Sequence, residues 1–427
     1  MNRNSIIISI IALLALSCMD TSAQDWPQWL GAQRDNISKE TGLNLDWSAK
    51  KPPLLWTFRQ AGAGYSAPTI VGTTLYCQGA ADGSDFAFAL DLRTGAQLWK
   101  QILGTEFIMD RGNGSRGSVT VDGNRLYLVR GGGQLHCLSA ADGSLIWQKD
   151  FRTDLGGNIM SQMDWGFSES PLIDGNLVIC TPGGDQGTVA ALDKNTGNVV
   201  WRSKDLKVLS GYTSAVITEV GGIRQYVVHA TGCVAGVAAK DGRLLWKVDY
   251  PTWSEKISSV LNTPVVHDNF VYVSTGQNLG CMGVKLAKDG ENIKAEMVYA
   301  NRNLVNQHGG YLLNDNHIYG FSDVSGWSCQ DLQTSELVWS QRKIGEGGKG
   351  SILGVNNRLI LLDERTGLTS VIAASTDGVK EFGSLEIPER TKIETIDNMV
   401  WTHPVVAAGK LFIRNQDLLF CFDLKAN

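Results

Sequence analysis

The stretch ALDLRTGAQLW, residues 89–99, returns with small changes as CLSAADGSLIW at 137–147, AALDKNTGNVVW at 190–201 and VAAKDGRLLW at 237–246. Fainter copies are CQDLQTSELVW at 329–339, with Ser335 in place of the glycine, and VIAASTDGVKEF at 371–382, with Phe382 in place of the tryptophan. A further copy, KLAKDGENIKAEMVY at 285–299, keeps Gly290 in phase but carries an insertion that displaces its aromatic residue. In the regular copies Gly95, Gly143, Gly197 and Gly242 each stand four residues before the tryptophan. Thr-Gly and Asp-Gly pairs between apolar runs reverse a chain, because glycine reaches the positive φ that tight turns need. The phrase reads as strand, turn, strand, and its recurrence makes one repeat the unit of structure.

From Trp56 to Phe382 the period is roughly 47 residues, near that of four-stranded propeller blades and long for ankyrin or tetratricopeptide units. Each repeat opens on a short run entered through small or polar residues: SAPTIV, GSVTV, ESPLI, TSAVI, NTPVV, GGYLL, GSILG and THPVV. Turns such as VDGNRL, VHDNF and VNNRLI follow, and then a second apolar strand. Eight first strands predict an all-β, eight-bladed propeller. The last segment supplies only three strands, whereas LLWTF at 54–58 is a lone outer strand with nothing before it. Together they complete one blade and close the ring, which removes exposed edges. Trp56, Trp99, Trp147, Trp201, Trp246, Trp339 and Phe382 then cover the gaps between neighbouring blades, a packing role for large aromatic rings.

Forty-eight glycines against ten prolines suit a chain dense in turns, and a net charge of −5 gives no basic footprint for nucleic acid. Arg3, the apolar run at 6–16 and the small residues after it read as a secretory signal peptide over 1–23, with cleavage after Ala23; Cys18 is the alternative, as a lipid acceptor. No transmembrane segment is expected beyond it. A leader over 24–51, with Trp26 and Trp29, is expected to pack on the outside of the ring or across one face, and the propeller takes 52–427. Cys77, Cys137, Cys180, Cys233, Cys281, Cys329 and Cys421 fall mostly in strands and read as buried reduced thiols. A periplasmic or secreted monomer is expected.

In a propeller the loops that follow the outer strands share one face with the loops between second and third strands. The irregular residues of the chain fall there: Arg111, Arg116, Asp164, Trp165, Tyr212, Asn262, His308, Lys349, Trp401 and His403. Each taken singly reads equally as an ordinary loop residue; their shared position on a rigid scaffold marks them as a ligand-binding mouth. Arg, Asp, Asn, His and Trp together suit polar ligands such as sugars or extended peptides. His308, His403 and Asp164 are residue types that could bind a metal, but their sequence separations say nothing about geometry, so no metal site is predicted. GxSxG, HExxH, CxxC and P-loop patterns are absent, and no catalytic residue is assigned.

ALDxxTGxxxW, with Trp99 and Trp201, resembles the repeat of the pyrroloquinoline-quinone-like propellers over about 54–424. DWPQWLG, GYSAPTIV, WGFSESPLIDGNLVICTPGG, NQHGGYLL and WTHPVV resemble a secreted bacterial subgroup of such repeat proteins. The resemblance implies one of two branches. Quinoprotein alcohol dehydrogenases hold pyrroloquinoline quinone (PQQ) between a tryptophan floor and a lid of adjacent disulfide-bonded cysteines, with calcium held by Glu, Asn and Asp. This chain lacks a Cys-Cys pair, and only Trp165 or Trp401 offers itself as a floor. The other branch is the outer-membrane assembly lipoprotein, a scaffold that binds no quinone. The leading expectation is a non-catalytic binding or scaffold module of the cell envelope, without a cofactor, whose partner is an envelope protein or a polysaccharide. The alternatives are a PQQ- and calcium-dependent alcohol or sugar dehydrogenase, with Asp164 as the base, and a carbohydrate-binding or carbohydrate-active propeller.

Overall fold

The computed structural model describes residues 25–159, 165–252, 260–277 and 279–425; the expected signal peptide, with Cys18, lies outside them. Among the described residues there is no helix. Eight antiparallel sheets of four blade strands follow one another around a ring. Blade 1 runs Thr69–Val71, Thr74–Ala81, Ser84–Asp91 and Gln97–Thr105, and blades 2 to 7 repeat that order. Blade 8 takes Val405–Ala407, Lys410–Asn415 and Leu418–Asp423 from the end of the chain and Leu54–Phe58 from its beginning, with Trp56 opposite Cys421. The ring is closed by the N-terminal outer strand. Arg414 reinforces that seam: fully buried, it donates to the carbonyls of Ala61, Gly62, Ser66 and Gln78 beside blade 1.

The repeated glycine and tryptophan meet across blade junctions. A Cβ on Gly95, Gly143, Gly197 or Gly242 would stand 2.7, 2.7, 2.7 or 2.3 Å from the ring of Trp56, Trp99, Trp147 or Trp201, each in the preceding blade. The indole N–H of Trp56, Trp99, Trp147 and Trp339 donates to the carbonyl of Leu92, Ala140, Lys194 and Ser375, in each case three residues before the turn position of the next blade. Tyr299 does the same with its hydroxyl, to Leu332 O at 2.7 Å, so the displaced aromatic of the insertion copy keeps the packing role. Trp246 departs from the pattern. The insertion lengthens Gly280–Asp289 and Asn292–Asn301 and carries Gly290 into open space, and the indole turns to Gln225 of its own blade at 2.5 Å. Phe382 lies under the guanidinium of Arg358, 3.7 Å from its ring centre.

The leader does not stay outside the ring. Trp26 exchanges backbone hydrogen bonds with Ile70 of blade 1, and Pro27 O accepts from Val121 of blade 2. The Arg34 guanidinium donates to Ser170, Pro171 and Ala215 at the inner strands of blades 3 and 4. Ile37–Ser38 adds a parallel fifth strand to Gly350–Val355 of blade 7. Partners on inner strands all round the ring place 25–38 within the central channel, and the Asp25 carboxylate on Gly72 N fixes its entry at the face of the first-to-second strand turns. The physical reason is satisfaction of backbone groups: inner strands are sheet edges, and the leader gives their N–H and C=O groups partners. Only 39–51 runs outward, where Trp47 N donates to Phe382 O.

Candidate functional site

On the opposite face the connecting loops surround a cavity of about 300 Å³. Eight of the ten residues singled out in the sequence line it: Arg111, Arg116, Trp165, Tyr212, Asn262, His308, Trp401 and His403. Lys349 does not; its ammonium is held by Asp323 at 2.8 Å and by Gln307 Oε1 at 2.5 Å. Asp164 lies outside the described residues. Trp29 and Leu30 of the leader close the cavity from within the channel.

Two aromatic platforms stand on the wall. Trp165 and Tyr212 have ring centres 5.5 Å apart, and Tyr65 and Trp401 are 5.4 Å apart. Backbone contacts set these rings: Tyr65 OH donates to Arg111 O, and Trp165 N donates to Tyr212 OH. Arg111 and Arg116 lie between the platforms on the loop after blade 1. Arg111 sits 5.7 Å from the Trp165 ring and pairs with Asp397 at 2.5 Å. Arg116 donates to Gly112 O and Gly114 O, which tethers the guanidinium without neutralising it. Burial pulls its pKa below the ordinary arginine value, against the raising effect of Tyr65, Tyr212, Asp85 and Asp110.

Opposite lie Asn262, Gln277, Gln307 and His308. Asn262 is structural: its amide N–H groups go to the carbonyls of Ser274, Asn306 and Gln307. His308 Nε2 lies 2.7 Å from Glu364 Oε2, which also accepts the Trp401 indole N–H at 3.0 Å. Burial would raise the Glu364 carboxyl, but His308, Lys349 and Trp401 outweigh it and hold the group below the usual carboxylate range. His403 donates from Nε2 to His308 O, and burial pushes its pKa down to about 4, so it is neutral. Among the described residues the cavity thus combines fixed aromatic faces, an unneutralised cation and amide groups.

Among the lining residues outside the ten singled out in the sequence are Tyr65, Gln277 and Trp29. Tyr65 had a signal, because Gly64-Tyr65-Ser66 matches Gly211-Tyr212-Thr213 at the entrance to an inner strand. Gln277 is a lone amide in a loop with φ +53°, and Trp29 belongs to a segment outside the repeat.

A quinone with calcium is what the dehydrogenase branch would place here, and the described residues do not fit it. Among the described residues no Asp or Glu lines the cavity, and no three His, Cys, Asp or Glu side chains stand together as metal ligands. The seven described cysteines are free and buried in the sheets, so none forms a lid.

The family model described as outer membrane protein assembly factor BamB matches residues 85–341. The BamB of Burkholderia pseudomallei is 25% identical over 374 residues, covering 85% of each chain. That of Yersinia pestis is 28% identical over 289 residues, covering 64% of this chain and 67% of that one. Tetrathionate hydrolase of Acidithiobacillus ferrooxidans is 26% identical over 257 residues, 55% of this chain, which spans only 47% of that relative. Among solved structures, BamB from Moraxella catarrhalis superposes with a TM-score of 0.61 at 13% identity, over 88% of this chain and 98% of that one. Quinohemoprotein alcohol dehydrogenase from Comamonas testosteroni gives 0.64 at 12% identity, over 94% and 81%. These two superpositions speak to the fold alone; with more than half of its length matched by the family model, the chain belongs to the outer membrane protein assembly factor BamB family.

Proposed function

We propose that the protein is a non-catalytic binding module of the cell envelope, which receives its ligand or partner at the channel mouth. The observation that carries this reading is the lining of the cavity: aromatic faces, arginines and amides on a rigid ring, with two carboxylates beside it already engaged, Glu364 by His308 and Trp401 and Asp397 by Arg111. Preformed pockets of this kind select by shape and polar placement. The BamB relatives, named for outer-membrane protein assembly, support an envelope setting, as does the signal-like segment at 1–23. Mass spectrometry of the mature N terminus checks the latter: a start at Gln24 or a lipid on Cys18 agrees with it, and an intact Met1 does not.

The reading predicts that bait protein recovers a defined partner from envelope extract, and that joint Arg111→Ala, Trp165→Ala and His308→Ala replacement loses it. Recovery unchanged by the triple variant counts against the mouth as the binding site. Incubation with PQQ and Ca²⁺ should give neither a bound chromophore nor dye reduction with alcohols or sugars; either signal would favour the dehydrogenase alternative instead.

A further inference from the structure

Arg116 has no ion pair among the described residues, and its Nε has no hydrogen-bond partner there; only Nη1 and Nη2 are tethered, to the Gly112 and Gly114 carbonyls and Met109 Sδ. A cation drawn partly out of water without a counter-charge raises the free energy of the empty site, and an arriving anion recovers it. Two amides with groups to spare, the whole of Gln277 and the Nε2 of Gln307, add a second requirement. Gln277 makes no side-chain hydrogen bond among the described residues, and Gln307, whose Oε1 is taken by Lys349, leaves Nε2 free. An amide offers both a donor and an acceptor, which matches hydroxyl groups and is wasted on a ligand that only accepts. The third requirement is a flat apolar face for the Trp165–Tyr212 and Tyr65–Trp401 platforms.

Few small molecules meet all three demands within about 300 Å³. We propose that the cavity is a site for an acidic sugar, a pyranose that carries one carboxylate or sulfate. Its anion lies on Arg116, an apolar ring face lies on one aromatic platform, and its hydroxyls reach Gln277 and Gln307. This rests on the binding-module reading and names the ligand chemistry of that same site. Arg111, engaged with Asp397 at the rim, contributes a second positive field without being the primary contact.

Titration of the full chain with glucuronate, glucose, benzoate and PQQ, followed by calorimetry and by the fluorescence of Trp29, Trp165 and Trp401, tests it. Glucuronate is expected to bind about tenfold tighter than glucose, which lacks the anion, and than benzoate, which lacks the hydroxyls. Galactose 6-sulfate against galactose repeats the comparison for the sulfate source. Arg116→Gln should abolish the preference for the acidic sugar. Gln277→Ala, at a side chain without hydrogen-bond partners among the described residues, should weaken both sugars about threefold and leave benzoate unchanged. Equal binding of glucose and glucuronate, benzoate or PQQ binding as tightly as glucuronate, a preference that survives Arg116→Gln, or no sugar binding at about 10 mM overturns the inference. If the sugars fail while partner capture still depends on Arg111, Trp165 and His308, the ligand assignment falls alone; if capture fails as well, both readings fall.

Discussion

At the scale of single residues, identical-looking glycines carry different loads. Gly242, at φ +75°, faces the Trp201 ring across a blade junction, whereas Gly290, at φ +62°, faces open space. Both resist a side chain through backbone strain, but only Gly242 also blocks the ring. Denaturant unfolding should show Gly242→Ala less stable by about 3 kcal/mol and Gly290→Ala by only about 1 kcal/mol. Glu169 is a second discriminating residue. Burial pushes its carboxyl up to about 8 despite the Thr181 N–H and the charge of Arg34, and its Oε1 finds no partner among the described residues. The folded protein therefore holds a proton that the unfolded chain has released above the ordinary carboxylate value. Stability is complete below that value and falls as pH rises towards about 8. Thermal unfolding at pH 5 and pH 8 should show this loss in the wild type, and Glu169→Gln should remove on the order of 1–3 kcal/mol of it.

At the scale of elements, the outer strands solve a problem that the repeated phrase creates. Six of the eight expose one or two apolar residues before the aromatic, among them Leu98, Ile146, Val200 and Val338, on a sheet edge facing solvent. The pairing register shifts immediately before Trp56, Trp99, Trp147, Trp201, Trp246, Tyr299 and Trp339, so the residue ahead of each aromatic is bulged out of the ladder. Such bulges twist an edge away from further strand pairing. The blades are legible in the sequence because turn, bulge and ring contact recur within a short span. The leader is not, because its position depends on partners far along the chain: Arg34 meets Ala215, 181 residues on, and Asn36 meets Ile352, 316 residues on. For the same reason Arg116 and Trp165 can be picked out as loop residues on the binding face, whereas Trp29 cannot. Arg34→Met should strand the carbonyls of Ser170, Pro171 and Ala215 and cost about 3 kcal/mol. Limited proteolysis should then cut 25–51 well before the blades.

At the scale of the molecule, stability depends on a single seam. Arg414 is fully buried, and its hydrogen bonds to protein oxygen all end on carbonyls, four of them across the junction between blades 8 and 1. Calorimetry should find Arg414→Met lower in unfolding midpoint by several degrees, equivalent to about 3–5 kcal/mol. Arg59→Gln, which removes an exposed pair with Glu389 near the same outer strand, should change stability by less than about 1 kcal/mol. The seam also sets a timetable. Residues 25–58 hold both the closing strand and the Trp29 that seals the cavity, yet the closing strand's partner, Leu418–Asp423, is made only after the other seven blades. Until Leu418–Asp423 is made, Leu54–Phe58 has no blade to complete. The binding mouth therefore comes into being in the same event that closes the ring, and a nascent or truncated chain presents no premature site to compete for the ligand.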